Sequence, residues 1–334
     1  MHRVIRDRSG TDERVQLLPM KYLLRIVLVL VVTCCVFFVA GVLATWAPDR
    51  TVEKLSVRWA QPPSTWLDVG GMRVHLRDEG PRDDPNPIVL LHGTSASLHT
   101  WDGWSQNLQS RRRVIRFDLP AFGLTGPHPA NDYSIAAYVQ FVTQVVDALG
   151  LQKFVLAGNS LGGHIAWATA VAQPQRVSQL ILVDSAGYPI VSQSVPIGFQ
   201  VARLPGLRKL MEYVLPRGVI QSSLRNVYGD PGKVSPELVD RYYELTLRAG
   251  NRAALGYRFE QRLFGDTEPL KTLKIPSLVI WGAQDRLIPL DNAQKFARDL
   301  PNARLVVFDD LGHVPHEEDP QRTVDAVRAF LNIV

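Results

Sequence analysis

Ser160 stands at the centre of Gly158-Asn159-Ser160-Leu161-Gly162, with a glycine two residues to either side. The apolar run at 153–157 reads as a strand, and 163–172 reads as a helix. A strand, a sharp turn and a helix with serine at the apex form the pattern of a nucleophile elbow. The turn strains the serine backbone and lifts its hydroxyl clear of the sheet, and glycine at the flanking positions avoids collisions inside the turn. The first amides of the following helix lie at its positive end and face a developing oxyanion.

A serine hydroxyl is a weak nucleophile at neutral pH and needs a base, which itself needs an orienting acid. The chain order Ser, Asp, His singles out two partners. Asp285 lies in Gly282-Ala-Gln-Asp-Arg286 and His313 in Asp309-Asp-Leu-Gly-His313, each just past an apolar strand-like run. Ser160 is then the nucleophile, His313 the general base and later acid, and Asp285 the carboxylate that fixes the imidazole tautomer. Asp184 also ends a strand and is the rival for the acid. Asp309 and Asp310 read as turn residues. The oxyanion needs two amides: that of Leu161, and one from the loop after Leu91, where Thr94 is favoured and Ser95 is second. His92 and Gly93 shape that turn, and Gly93 permits close backbone approach. His2, His75, His99, His128, His164 and His316 are read in part as solvent-facing loop histidines. Trp101 and Trp104 are candidates for an acyl pocket or for the core side of a helix. There is no HExxH, Cys/His cluster or phosphate-cradling glycine loop, so neither metal nor cofactor is expected.

These residues must hang on a frame. A hairpin is expected at 65–77 around Gly70-Gly71. Strands are expected at 88–91, 113–117, 177–183, 277–281 and 303–308. The helices between them are 98–109, 134–149, 291–300 and 321–334, and Ser134 is placed to cap the second. Such alternation implies an α/β fold with a mostly parallel central sheet and helices on both faces. It lapses from Ala186 to about Gly265, which implies an inserted helical cap over the carboxyl ends of the strands, where open α/β sheets bind ligands. The cap carries Leu204, Leu207, Leu210, Met211, Tyr213, Val214, Leu215, Tyr242, Tyr243, Tyr257, Phe259 and Phe264, a composition that fits either an apolar pocket or ordinary cap core. Its eleven Lys or Arg against six Asp or Glu read as a solvated basic face or as an attractor of anionic substrates and headgroups.

The net charge is +5, and residues 1–25 hold six Lys or Arg against Asp7, Asp12 and Glu13. The remainder is near neutral, which argues against a nucleic-acid partner. Residues 26–45 carry no charge over 20 positions. At about 1.5 Å per residue they match a hydrocarbon layer of about 30 Å. A cleaved signal peptide, with Val42-Leu43-Ala44 as its site, is the rival to an uncleaved anchor, but the stretch exceeds a usual signal core. Cys34 and Cys35 both lie here, so the remainder has no disulfide. The expected organisation is a basic cytoplasmic tail at 1–25, a transmembrane signal anchor at 26–46 and a linker at 47–63. The core follows at 64–185, interrupted by the cap at 186–268 and completed by 269–334. Basic residues before the anchor predict a cytoplasmic N-terminus and an exported catalytic part, periplasmic or extracellular.

The HGTS turn, the D-x-P-x-x-G stretch from Asp118 to Gly123, the GNSLGG elbow, WGAQD and GHVPHEEDP together resemble the α/β-hydrolase fold superfamily from about residue 65 to the end. Members with an aspartate nucleophile, the haloalkane dehalogenases and epoxide hydrolases, differ at Ser160. Asn159 resembles the carbon–carbon hydrolases of meta-ring-fission products, which usually carry tryptophan after the catalytic histidine where this chain has Val314. The resemblance implies a serine hydrolase acting on carboxylic esters without a cofactor. A carbon–carbon or amide hydrolase on the same triad is the alternative among enzymes. A tethered protein that keeps the fold as a ligand pocket is the alternative outside them.

Overall fold

Eight strands hydrogen-bond in the order β1-β2-β4-β3-β5-β6-β7-β8 in the computed structural model. It describes residues 19–204, 209, 212–261 and 266–333. The hairpin β1 (Ser64–Val69) and β2 (Met72–Glu79) is antiparallel, and β2 also runs antiparallel to β4 (Val114–Phe117). From β4 onward, β3 (Ile88–Leu91), β5 (Phe154–Asn159), β6 (Val177–Val183), β7 (Ser277–Gly282) and β8 (Ala303–Phe308) are parallel. All four residues of β3 are buried. Val89 and Leu91 join the core on one face, and Ile88 and Leu90 the core on the other. A strand covered on both faces must be apolar at every position, which explains why the run at 88–91 does not alternate.

The helices that cover the sheet bury one side each. Helix α4 (Ile135–Ala148) is capped by the Ser134 hydroxyl, which accepts from Ala137 N, and it buries Tyr138, Phe141, Val142, Val145 and Val146. Helix α3 (Asp102–Leu108) and the terminal helix α12 (Pro320–Leu331) cover the opposite face with Trp104, Val324 and Val327. Trp101 and Trp104 are both fully buried in this second core, their rings 4.8 Å apart. They belong to the core and not to an acyl pocket.

Between β6 and β7 the chain forms α6 (Ile197–Ala202), α7 (Arg217–Val227), α8 (Pro236–Thr246) and α9 (Asn251–Glu260). Of the apolar residues named there, Val214 and Leu215 are buried, whereas Leu204, Tyr213 and Tyr257 are exposed. Leu207, Leu210, Met211 and Phe264 lie outside the described residues. The basic excess is partly absorbed by ion pairs, Arg217–Asp240 at 2.6 Å and Arg252–Asp49 at 2.6 Å among them.

Residues 47–63, expected as a linker, fold instead. Helix α2 (Val52–Trp59) occupies much of the segment, capped by the Thr51 hydroxyl, and buries Leu55 against Leu124 and Leu245. Trp59 Nε1 donates to Glu244 Oε2 at 2.7 Å, and Arg50 pairs with Glu244 Oε1 at 3.0 Å. Cationic and aromatic side chains at Arg50, Arg58 and Trp59 found one carboxylate partner 185 or more positions away, which no local pattern announces.

The chain divides into two units, Met1–Trp46 and Ala47–Val334. In the first, α1 (Met20–Ala44) is a 25-residue helix, long and apolar enough to cross a membrane, with no residue buried. It begins six residues before the span expected at 26–46. Of the basic tail, residues 1–18 lie outside the described residues.

Candidate active site

Strand β5 ends at Asn159 and helix α5 (Leu161–Ala172) begins at Leu161, so Ser160 alone makes the turn, at φ 54° and ψ −116°. L-residues avoid this region, and a non-glycine residue held there is over-determined by its surroundings. Ser160 N donates to Val183 O at 3.1 Å, and its carbonyl accepts from Ala186 N at 3.0 Å. A Cβ on Gly158 would lie 2.1 Å from Gly162 O, and one on Gly162 would lie 2.2 Å from Leu91 O. Both obstacles are backbone and cannot yield, so the turn requires glycine at both places.

His313 follows β8, and Asp285 follows β7. His313 Nδ1 lies 2.6 Å from Asp285 Oδ2, and Asp285 Oδ1 accepts from Leu287 N at 2.8 Å and Ile288 N at 2.9 Å. Two backbone N–H groups and one ring nitrogen thus converge on this carboxylate. It can only accept, so Nδ1 carries the imidazole proton and Nε2 is left with the lone pair that a base requires. The partner of Nδ1 is Asp285 and not Asp184.

Ser160, His313, Asn159, Gly93 and Thr94 line one cavity with about 120 Å³ open to water. A Cβ on Gly93 would come within 3.1 Å of Ser160 Cβ, so the space beside the serine depends on that glycine. Thr94 faces the cavity, whereas the Leu161 side chain is buried in the core. As the first residue of α5, Leu161 has an N–H without an intrahelical acceptor. The roof comes from the cap: Phe199, Ala202, Leu215, Val219, Leu224 and Leu255. Leu215 and Tyr242 are the cavity-lining members of the apolar set named from the sequence.

The histidines expected in part to face solvent are largely covered, and His92, expected to shape the turn after Leu91, is buried as well. His75, His92, His99, His164 and His316 are all buried, and His128 is half-buried; His2 lies outside the described residues. His92 donates from Nδ1 to Gly93 O at 2.8 Å and accepts Leu119 N on Nε2 at 2.9 Å. Burial keeps it neutral by lowering its pKa, and both ring nitrogens are used in bracing the turn. Burial likewise pushes His99 down to about 3. His316 lies well below the ordinary histidine value through burial and the nearby His313, and its ring packs 4.0 Å from that of Trp101.

Three residues within the motifs act as supports, a role that the sequence did not announce. Asn159 Nδ2 donates to Val183 O at 3.1 Å and to His313 O at 2.9 Å, tying the elbow to the histidine loop. Glu318, buried in α11 (Pro315–Glu318), accepts from Gly312 N, Gly229 N and Asp230 N, each at 2.8–2.9 Å. It thereby joins the His313 loop to the cap. Asp118 is fully buried and accepts from Leu98 N, Leu124 N and His75. Burial alone would raise its pKa, but the His75 charge and hydrogen bond outweigh this and hold it well below the carboxylate range. Acids near a motif carry no local mark of whether they brace a loop or reach solvent.

Among the described residues, Asp184, Asp285 and His313 form a group that could hold a metal ion, with one ligand atom of each within 4.8 Å of the others. The Nδ1 of His313 is engaged with Asp285, so two of these ligands bind each other.

A family model described as the alpha/beta hydrolase fold matches residues 86–320. A 2-hydroxy-6-oxo-2,4-heptadienoate hydrolase of Pseudomonas putida is 29% identical over 277 residues, covering 78% of this chain and 94% of that protein. An uncharacterised protein of Mycobacterium tuberculosis is 30% identical over 300 residues, covering 85% of this chain and 86% of its own. Among solved structures, a meta-cleavage product hydrolase from Pseudomonas fluorescens superposes with a TM-score of 0.70 at 26% identity, over 80% of this chain and 97% of that one. A membrane phospholipase A superposes with a TM-score of 0.69 at 25% identity, over 94% of this chain and 98% of that one.

Proposed function

The chain belongs to the alpha/beta hydrolase fold family and is a hydrolase, and from that premise we propose that it is a membrane-tethered serine esterase acting on lipid-like carboxylic esters. One observation carries the reading: a strained Ser160 and a hydrogen-bonded His313–Asp285 pair open on the same apolar cavity.

Ser160 Oγ attacks the ester carbonyl carbon while His313 Nε2 takes its proton. The N–H groups of Leu161 and Thr94 hold the oxyanion. Losing one such donor typically costs about 3–4 kcal/mol of transition-state stabilisation. The tetrahedral intermediate collapses, the imidazolium protonates the leaving alcohol, and the acyl group stays on Ser160. His313 then activates water, and a second tetrahedral intermediate releases the acid and restores the serine. Asp285 keeps the proton on Nδ1 throughout and balances the transient imidazolium.

Two observations support a lipid-like substrate and a membrane location. The cap lines the cavity that holds Ser160 with aliphatic side chains. The likeness to the membrane phospholipase A extends over 94% of this chain, more than residues 47–334 alone can supply, so it draws in the apolar helix. With basic residues before that helix, the tail would stay in the cytoplasm and the catalytic unit would be exported.

The relationship to the heptadienoate hydrolase favours a second reading, carbon–carbon cleavage. Against that reading, Val314 follows the histidine where such hydrolases usually carry tryptophan, although Arg252, which lines the cavity and pairs with Asp49 through one nitrogen, offers a cation to a substrate carboxylate. Turnover of p-nitrophenyl esters of graded chain length, beside a dienone acid, separates the two. Ester turnover rising with chain length is the expected result. A protein that cleaves the dienone acid and no ester is a carbon–carbon hydrolase, and one that never reacts with a fluorophosphonate is a binding protein. Esters embedded in vesicles should be turned over faster by the full chain than by 47–334, and equal rates would remove the membrane from the proposal.

A further inference from the structure

One oxygen of Asp184, one oxygen of Asp285 and one ring nitrogen of His313 lie within 4.8 Å of one another. Both carboxyl groups are buried, Asp184 completely. Two carboxyl groups this close and out of water repel each other when both are charged, and a proton on one of them relieves the repulsion. Their surroundings decide which. Asp285 receives two backbone N–H groups and the His313 Nδ1 proton. Asp184 receives one N–H, from Gly282 at 3.0 Å, and its Oδ2 has no donor in reach. An oxygen with no donor beside a carboxylate that can only accept is the arrangement expected when the missing hydrogen belongs to that oxygen. The third ionisable group nearby, Glu318, is also acidic and offers Asp184 no relief. Burial first, and then the Asp285 charge, push the Asp184 carboxyl well above the usual carboxylate range. The backbone at Asp184 is itself unusual, at φ 42°, where side chains are seldom found.

We propose that Asp184 is a positioning residue, protonated at neutral pH, whose carboxyl group donates to Asp285 and so holds that carboxylate toward His313. The proposal rests on the roles assigned above to Asp285 and His313. The donated hydrogen bond gives Asp285 one more fixed contact. It also keeps the acid limb at a single negative charge. A second charge there would change the field at the imidazole, and the pH profile of kcat would register it.

The test uses the full-length protein in detergent, labelled with ¹³C at the aspartate carboxyls. At pH 7 one carboxyl resonance should sit at the position of the protonated acid and vanish in Asp184→Asn. If every aspartate resonance sits at the ionised position, the proposal is wrong. On an ester substrate, Asp184→Asn supplies a neutral donor and should keep kcat within about threefold, with the acid limb of the pH profile unmoved. Asp184→Ala should lose about tenfold in kcat at unchanged KM. Equal loss in both variants, or a shifted acid limb in Asp184→Asn, would also overturn it. Should the alanine variant fail to fold, the resonance and the asparagine variant still decide. Fluorophosphonate labelling of the unaltered protein separates the two layers: an unreactive Ser160 sinks the esterase reading, while the resonance still reports where the proton resides.

Discussion

The floor and the roof of the cavity are built on opposite terms. The floor is the carboxyl edge of the sheet, where Ser160, Asp285 and His313 leave β5, β7 and β8. Its polar groups are directed by backbone partners and by glycines with no room for a Cβ. The roof is cap: aliphatic side chains on several helices, such as Ala202, Val219 and Leu224, with Leu255 only partly buried. Hydrogen bonds are directional and fix which atoms face each other, whereas apolar contacts fix only volume and nearness. On the function proposed above, chemistry that needs sub-ångström placement would belong to the floor, and selection among acyl groups to the roof.

Substitutions can break or sharpen that contrast. The largest effect should come from Ser160→Ala, which removes the proposed nucleophile: kcat on a p-nitrophenyl ester should fall on the order of 10⁵-fold with little change in KM. A fall below 100-fold would mean that another group attacks. Next comes Glu318→Ala, which strands three N–H groups between the His313 loop and the cap. We expect about 3 kcal/mol of lost stability by denaturant unfolding and about a tenfold drop in kcat. An unchanged kcat would show that the floor does not depend on this brace. Leu255→Ala enlarges the roof. It should shift the ratio of long-chain to short-chain kcat/KM by about fivefold, within the 1–3 kcal/mol typical of such pocket contacts. A loss of kcat for all chain lengths alike would erase the division between floor and roof.

The smallest effect concerns stability. Asp184 has a folded-state pKa above its unfolded value. Its contribution is therefore fully present below the ordinary aspartate range and declines as pH rises through that range toward the folded pKa, because the unfolded chain releases the proton first. Asp184→Asn removes this penalty. Its Tm should match that of the unaltered protein near pH 4 and exceed it by a few degrees at pH 8. A Tm difference that does not change with pH would mean that Asp184 ionises alike in the folded and unfolded chain.

Much of this molecule was legible along the chain because its signals are local. The apolar runs at 88–91, 177–183 and 303–308 are the strands observed, since period and burial are written in neighbouring residues. The glycines around Ser160 announced the turn because the collisions they avoid lie within five residues or at the adjacent strand. Ser160, Asp285 and His313 were readable as candidates for the same reason: each follows a recognisable strand.

Other features are not a property of any segment. Residues 47–63 look like a linker until Glu244 and Leu245 arrive from the cap. Four histidines that read in part as polar loop residues, His75, His99, His164 and His316, are buried because the groups that satisfy or cover them, such as Asp118 for His75 and Trp101 for His316, come from elsewhere. The sequence by itself determined the order of strands and helices, the sharp turn at residue 160 and the apolar helix near the N-terminus, all matters of spacing along one backbone. Only the tertiary structure decided which acid meets the imidazole, which loops are braced by Asn159 and Glu318, and where Asp184 comes to rest. Charge state and hydrogen-bond partner depend on the dielectric and the donors around a group, and distant stretches of chain supply both.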